Sequence, residues 1–386
     1  MQTYELTTIT PVHIGTGVNL SHIDGFYANG IWRRINLDKV LVEPSINLNA
    51  LTIAMGERDF RWSGRVQNLD LTDDRFCIYG LPCPGNPEEV EIREAIKDVH
   101  QRPMIPGSSI KGPIRTALLW HLIEKDEQHY DFAVKDLEGQ LKGRGNPKWA
   151  AQKIERNVFG RNPNNDLMRA VQVSDTNALS IDALEMGLAW TVTLDHRNQL
   201  VQKRERGREY KTFVEQIRTG QTLKFSVKID DFLFSDRADK DLHFQGPKQE
   251  AVESMAVLCN NFAKGFIEDE ISFFGYYNGL PEVTRFYESL ANRLGNTPDG
   301  AFLLQLGWGG GYKAKTVIDL LTGVYEHEED QKALMMEVRR QYRLGESRSR
   351  RGTYDEREFP KTRRILYDGQ RPTSPLGWVE IVPHTH

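Results

Sequence analysis

The sequence predicts an α+β protein built from ferredoxin-like units, and three observations carry that reading. Leu188, Trp190, Val192 and Leu194 alternate strictly, as do Leu223, Phe225, Val227 and Ile229, which is the two-residue period of half-buried strands. Apolar residues at helical spacing follow Pro113 (Ile114, Leu118, Leu122) and recur at Ala251, Met255, Leu258, Phe262 and Phe266. Strands and helices alternate along the chain without a long parallel pattern, which favours α+β over a doubly wound sheet.

In chain order, Tyr4, Leu6, Val12 and Ile14 share one parity, giving a first strand that is interrupted or extended around Thr10-Pro11 and ends at Gly15-Thr16-Gly17. Ile31, Ile35 and Leu37 suggest a second strand. The stretch 43–103 is rich in turn residues, such as Pro82-Cys83-Pro84-Gly85-Asn86-Pro87, and weakly periodic, so it reads as an insertion. The helix from Pro113 is the most clearly patterned, since proline is accepted in a first turn. Gly, Asn, Pro and basic residues fill 140–165, after which Ala170 to Val173 reads as a short strand ending at Ser174-Asp175. A charged connection, 195–220, protrudes between the two alternating strands. Thr316 to Val324 is expected to be a further helix, and the apolar run Leu376 to Ile381 closes the chain. The expected division is a unit over 1–180 carrying the insertion and a second over 181–386 with a basic C-terminal region.

Composition narrows the function classes. Among 386 residues the three cysteines, Cys77, Cys83 and Cys259, form no CxxC pair and no zinc-like spacing, which suits a reducing, cytoplasmic setting. The opening MQTYELTTITPVHIG has no basic stretch followed by an apolar run, and no eighteen-residue apolar run occurs, so neither secretion nor a membrane span is expected. A net charge of -4 argues against coating nucleic acid with the whole surface, because phosphate binding depends on local Lys and Arg. Two segments supply such local charge. Arg339 to Arg364 holds ten Lys/Arg against four Asp/Glu, interleaved with Tyr342, Tyr354 and Phe359, and Lys142 to Arg169 holds seven against two. A solvated charged face is the plainer reading of either run alone.

Two segments combine glycine, hydroxyls and lysine ahead of a helix. In Ile105-Pro106-Gly107-Ser108-Ser109-Ile110-Lys111-Gly112, glycine permits close backbone approach, the serines donate, the helix start offers unpaired N–H groups, and Lys111 and Arg115 add charge. A plain helix start capped by Ser108 or Ser109 would explain the serines alone. Gln305-Leu306-Gly307-Trp308-Gly309-Gly310-Gly311-Tyr312-Lys313-Ala314-Lys315-Thr316 repeats the arrangement. Ala314 before Lys315 excludes a nucleotide-binding P-loop, which needs glycine there, while a flexible turn remains the simple alternative.

These segments, with the opening TPVHIGTG, VSD at Val173 to Asp175 and the closing PLGWVEI, resemble the RAMP superfamily of CRISPR-associated proteins across residues 10 to 381. Motif order and length are most similar to the fifth-subunit branch of Csm-type (type III-A) effector complexes. The resemblance implies an RRM-related, ferredoxin-like core and a CRISPR RNA-binding subunit that holds the guide backbone and helps assemble or cap the filament. It implies as partners CRISPR RNA, target RNA, other RAMP backbone subunits and a polymerase-like large subunit, with no cofactor required for binding. Carried over by position, the RNA-binding residues are His13, Gly15 and Gly17; Gly107, Ser108, Ser109, Lys111 and Arg115; and Gly310, Gly311, Lys313, Lys315 and Thr316. Backbone subunits of such complexes cut target RNA with an aspartate, Mg2+ or another divalent metal assisting. Asp24 is the nearest match here, although Asp24-Gly25 also suits a simple turn. A metal-free precursor-processing nuclease would instead use His13 or His22 as acid or base.

Overall fold

The computed structural model describes residues 1–384 except 58, 63–64, 68, 88–89, 91, 144–145, 147–148, 206, 324–326, 347–351 and 355–358. Its architecture is mixed α and β, with two principal sheets and a small appended lobe. The first sheet has five strands in the order Phe302–Gln305, Trp378–Pro383, Gln2–Thr8, Thr222–Ile229, Val171–Val173, and every neighbouring pair is antiparallel. The second runs Arg371–Pro375, Thr362–Asp368, Leu184–Leu194, Lys211–Ile217, Ile92–Ala95, Gly15–Leu20, with Leu200–Gln202 added on Leu184–Leu194. Both sheets draw strands from either side of residue 180, so the two halves of the chain are interleaved rather than stacked end to end.

Helix Gly107–Lys125 lies on the first sheet through Ile110, Ile114, Leu118 and Leu122, spaced to fill one face and all buried. It packs against Met255–Tyr277, whose far flank joins Pro281–Gly295 in covering the second sheet. Phe274, Tyr287 and Trp378 meet in that second core.

Several elements differ from the sequence reading. The opening strand does break near Thr10-Pro11, but Gly15 begins a new strand in the second sheet instead of ending the first. Gly17, at φ 89°, falls within a register irregularity against Ile92–Ala95. Leu37 opens a short helix rather than extending Ile31–Ile35, because Asn36 caps the amide of Lys39. The proposed insertion 43–103 contains two structures. Cys77–Pro82 pairs with Ile31–Ile35 in a lobe with its own core of Phe26, Val40, Leu51, Trp62 and Phe76, whereas Ile92–Ala95 returns to the second sheet. Ala251 and Met255 lie in two helices, Pro247–Glu253 and Met255–Tyr277, separated at Ser254. The helix expected over Thr316 to Val324 is confined to Ile318–Thr322, and Val324 lies outside the described residues.

The protruding connection 195–220 also contains more order than expected. Lys211–Ile217 is a central strand between Leu184–Leu194 and Ile92–Ala95. Its alternation is hidden because Glu215 and Gln216 are buried beside Phe213, Val214 and Ile217. Glu215 is fully buried and satisfied by Tyr79 Oη at 2.7 Å, the Ala95 amide at 2.9 Å and Lys97 Nζ at 2.6 Å. A buried carboxylate is tolerated only with such compensation, and here it ties the lobe to the sheet.

Candidate nucleic-acid interface

The segment expected to be a loop before Pro113 is already helix. Gly107–Lys125 begins six residues earlier, so Gly107, Ser108, Ser109, Lys111 and Gly112 all lie on helical backbone and Pro113 sits inside it. Neither serine caps the helix; Pro106 holds the cap position with no side-chain hydrogen bond. Gly107 donates its amide to Asp175 Oδ1 at 2.8 Å, and a Cβ there would lie 2.4 Å from the Val173 carbonyl oxygen. The glycine therefore permits the helix start to press on the strand end, and the positive helix terminus already faces a carboxylate from this chain. Ile105 and Thr176 complete the clasp, each donating its amide to the other residue at 3.0 Å: Ile105 to the Thr176 hydroxyl and Thr176 to the Ile105 carbonyl.

Lys111 and Arg115 separate in role. Arg115 forks onto both oxygens of Asp166 at 3.0 Å, reaches Glu155 at 3.0 Å, and lies 4.1 Å from the centre of the Phe159 ring. Its guanidinium is thus committed to holding the Gln152–Phe159 helix and the following turn. Lys111 forms no ion pair among the described residues; burial holds its pKa below the ordinary lysine value, with Asp166 opposing and Arg115 adding to that shift.

The second glycine segment folds as two short 3-10 turns, Gly307–Gly310 and Lys313–Lys315. Three sequence motifs meet here. Gly307, at φ 72°, would place a Cβ 2.2 Å from the His13 carbonyl, and Trp308 donates its amide to that same oxygen at 3.2 Å. Gly377, at φ 92°, is pressed equally close to the Leu306 carbonyl, and Leu306 donates to the Gly377 carbonyl at 2.7 Å. These glycines serve backbone-to-backbone packing that any side chain would prevent. Gly311 differs: it is exposed and its Cβ position is open. Gly310 is buried under Ala314 and Gln305. Lys313 is tied to Asp269 at 2.6 Å and Asp319 at 3.9 Å, while Thr316 accepts the Ile318 amide at 3.1 Å.

A cationic cleft opens beside this node. It has a volume of about 340 Å³ and runs between Gly15–Asn19 and Trp308, with Arg93 and Lys315 on its walls. The guanidinium carbons of Arg93 and Arg364 sit 4.8 and 4.2 Å from the Trp308 ring centre. Burial, then the charge of Arg93, lowers the pKa of Arg364; partial desolvation, then Arg364, lowers that of Lys315. Lys315 donates to the Gly307 carbonyl at 3.0 Å, and neither it nor Arg364 has a carboxylate partner among the described residues. Two arginines over one indole, with Lys315 close enough to Arg364 to feel its charge, make this wall cationic, and Glu94 is the one carboxylate on the cleft lining among the described residues. Trp308 and Lys315 also line a second cavity of about 440 Å³.

The nuclease candidates are placed differently. His13 is buried; its Nδ1 donates to the Glu215 carbonyl at 2.7 Å, which leaves Nε2 unprotonated beside Gly15. Burial pushes its pKa down to about 4, with Arg93 and Lys97 adding to the shift against the Glu215 hydrogen bond. Asp24 closes a turn: Oδ2 accepts from the Ser21 amide at 2.7 Å and hydroxyl at 2.9 Å, and Oδ1 pairs with Arg34 at 2.6 Å. Partial burial opposes its ionisation, but Ser21 and Arg34 outweigh that and hold it below the usual carboxylate range. With Arg34 on one oxygen and Ser21 on the other, Asp24 does not fit a divalent-ion ligand, and no cluster of three His, Cys, Asp or Glu able to hold a metal occurs among the described residues. His22 is half-buried in the same turn.

Residues 5–312, well over half the chain, match the family model for the RAMP superfamily. The chain belongs to the RAMP superfamily. Within it, the chain is similar to the CRISPR system Cms protein Csm5 of Methanocaldococcus jannaschii, at 24% identity over 97% of this chain and 87% of that one. Its fold is similar to a chain of a cryo-EM structure of a Csm-crRNA-target RNA ternary complex from a type III-A CRISPR-Cas system, with a TM-score of 0.73 at 23% identity and full coverage of both chains. A crystal structure of Csm5 from T. onnurineus gives 0.65 at 21% identity, covering 97% of this chain and 99% of that one.

Against that family setting, the sequence motifs act as structural joints within the chain. Of the candidate residues, the structure gathers His13, Gly15, Gly17 and Lys315 around one cleft, while Gly310, Gly311 and Lys313 line the adjoining cavity. Thr316 accepts the Ile318 amide at the start of the next helix, whose cap position is Val317, and the Gly107 to Arg115 group belongs to the other sheet's helix. Arg93 and Trp308 were not singled out from the sequence, and Arg364 appeared only as one charge of a run. The signal that could have found them is the lone arginine between Ile92 and Ala95 facing a tryptophan within a glycine run. Of the basic runs, Arg144, Lys148, Arg348, Arg350, Arg351 and Arg357 lie outside the described residues.

Proposed function

We propose that this chain is a CRISPR RNA-binding subunit of a type III, Csm-like ribonucleoprotein, holding the guide backbone and helping assemble or cap the filament. The observation that carries the reading is the pair Lys315 and Arg364, which have no carboxylate partner among the described residues, beside the Trp308 indole that Arg93 also flanks; such cations and an aromatic face suit a single-stranded phosphate backbone. Similarity to a chain in a Csm-crRNA-target RNA complex supports CRISPR RNA, target RNA and other Csm subunits as partners, and a polymerase-like large subunit is proposed with them. The strand order Trp378–Pro383, Gln2–Thr8, Thr222–Ile229, Val171–Val173 is 4-1-3-2 and fully antiparallel, with a helix between the first and second of these strands in sequence and another between the third and fourth. That arrangement supports a ferredoxin-like, RRM-related core in the first sheet. No described helix is long and apolar enough to cross a membrane.

Backbone contacts neutralise charge without reading sequence, so no cofactor enters the binding step. The test is titration of the purified chain with fluorescent single-stranded RNA at several salt concentrations. Replacing Lys315 and Arg364 by Ala should weaken binding to unrelated sequences alike and reduce the slope of log affinity against log salt by roughly 0.7 per lost phosphate contact. A folded double variant with unchanged affinity and slope would remove the cleft from the interface.

A further inference from the structure

We propose that the 440 Å³ cavity next to the cationic cleft takes one nucleobase splayed out of the bound strand, a step that rests on the RNA-binding reading above. The cavity and the cleft share Trp308 and Lys315, so a strand whose phosphates lie on Lys315 and Arg364 passes the cavity mouth. Glycines 309 to 311 are part of the lining, and of these the exposed Gly311 has open space where a Cβ would stand. Tyr312 and Phe359, both in the lining, meet edge-to-face at 5.2 Å between ring centres, and Trp308 is a third aromatic of the lining. The volume lies within the range of small-ligand sites and accommodates a base with its ribose.

The charges lining the cavity do not call for a second phosphate. Arg363 is bound through Nε and Nη2 to the buried Glu270, at 2.7 to 2.8 Å, and Lys313 is held by Asp269. Lys315 and Arg364, which also line the cavity, remain for the backbone, and the rest of the lining offers aromatic surface; an aromatic wall beside an electrostatic track is how single strands are held without sequence reading. Thr191, on the central strand Leu184–Leu194, contributes to the lining from the sheet side.

The probe is a pentanucleotide of uridines carrying one central 2-aminopurine, titrated with the full chain while anisotropy reports binding and fluorescence reports stacking. Binding should quench the 2-aminopurine, and an abasic residue at that position should weaken binding about tenfold. Thr191→Phe fills the cavity from the sheet side. It should abolish the quench and lower affinity to that of the abasic oligomer, with wild-type circular dichroism. Phe359→Ala, which opens the wall from another element, should also reduce the quench. A bound oligomer whose fluorescence does not change, or whose quench is the same in both folded variants, overturns the base site and leaves the backbone reading standing. Absence of any salt-dependent binding overturns the RNA-binding reading and the base site with it.

Discussion

The Gly107 amide donates to Asp175 Oδ1 at 2.8 Å, joining the start of the main helix of the first sheet to the end of an edge strand 68 residues later. The two motifs that make the sequence look like a phosphate site, Gly107 to Gly112 and Val173 to Asp175, are thus partners of each other. A helix N-terminus attracts any anion, and this one has been given an internal carboxylate. The same contact explains the glycine, because the strand-end carbonyl lies where a side chain would begin.

Asp175→Ala should therefore act on stability. Loss of a charged acceptor at a helix start costs about 0.5–2 kcal/mol, readable as a lower urea midpoint with an unchanged slope. Gly107→Ala should cost more, since the helix must retreat from Val173. If Asp175→Ala left the midpoint unaltered but weakened RNA binding, the carboxylate would be serving the ligand instead.

Lys111 and Arg115, neighbours on one helix, should separate in the same two assays. Arg115→Ala breaks the fork to Asp166 and the contact to Glu155 and should cost about 1–3 kcal/mol, because charge-assisted, partly buried pairs leave carboxylates unmatched when one side is removed. Lys111→Ala should leave the midpoint within about 0.5 kcal/mol. If the helix face touches RNA at all, only the Lys111 variant should lower the salt slope; a lower slope for folded Arg115→Ala, with native stability, would contradict the assignment.

The sequence made the fold legible where burial is one-sided. Leu188 to Leu194, Leu223 to Ile229 and Ile114 to Leu122 each show a single clean period because one face meets water and the other the core. Lys211–Ile217 was illegible because both of its faces are covered and a fully buried Glu215 interrupts the apolar pattern. The site followed the same logic. Glycine and lysine composition located the Gly307 to Thr316 segment, but composition cannot distinguish a glycine that admits a ligand from one that admits another backbone. Arg93 and Arg364 come together only through the second sheet, across strands distant in sequence.

His13 supplies a pH signature. Its folded pKa, about 4, lies below the unfolded value of 6.5, so the unfolded chain binds the extra proton first as pH falls. Stability linked to this residue is fully present above about pH 6.5 and is lost progressively toward pH 4, to a total of about 3 kcal/mol by linkage. His13→Asn retains an N–H donor for the Glu215 carbonyl but cannot titrate, so its stability should fall less between those pH values. Equal acid sensitivity of variant and wild type in urea melts would show that His13 is not the group responsible.

Asp24 separates a structural turn from a target-cutting subunit, and the assembled ribonucleoprotein is where to look. A catalytic aspartate needs a target strand held with its 2'-hydroxyl aligned to the scissile phosphate, which an isolated chain cannot supply. In this chain both carboxylate oxygens are already engaged, one by Ser21 and one by Arg34, and freeing either for catalysis would open the turn that leads into Gly25–Ala28. Asp24→Asn should therefore behave as the loss of a partly exposed ion pair, lowering stability by about 1 kcal/mol. Guide and target affinity should stay near wild type. Every product of metal-dependent target cleavage should persist in a denaturing gel of the variant complex. Disappearance of a single band, with the complex intact and the others unchanged, would make this subunit an enzyme and require Arg34 to release Asp24 when the target is bound.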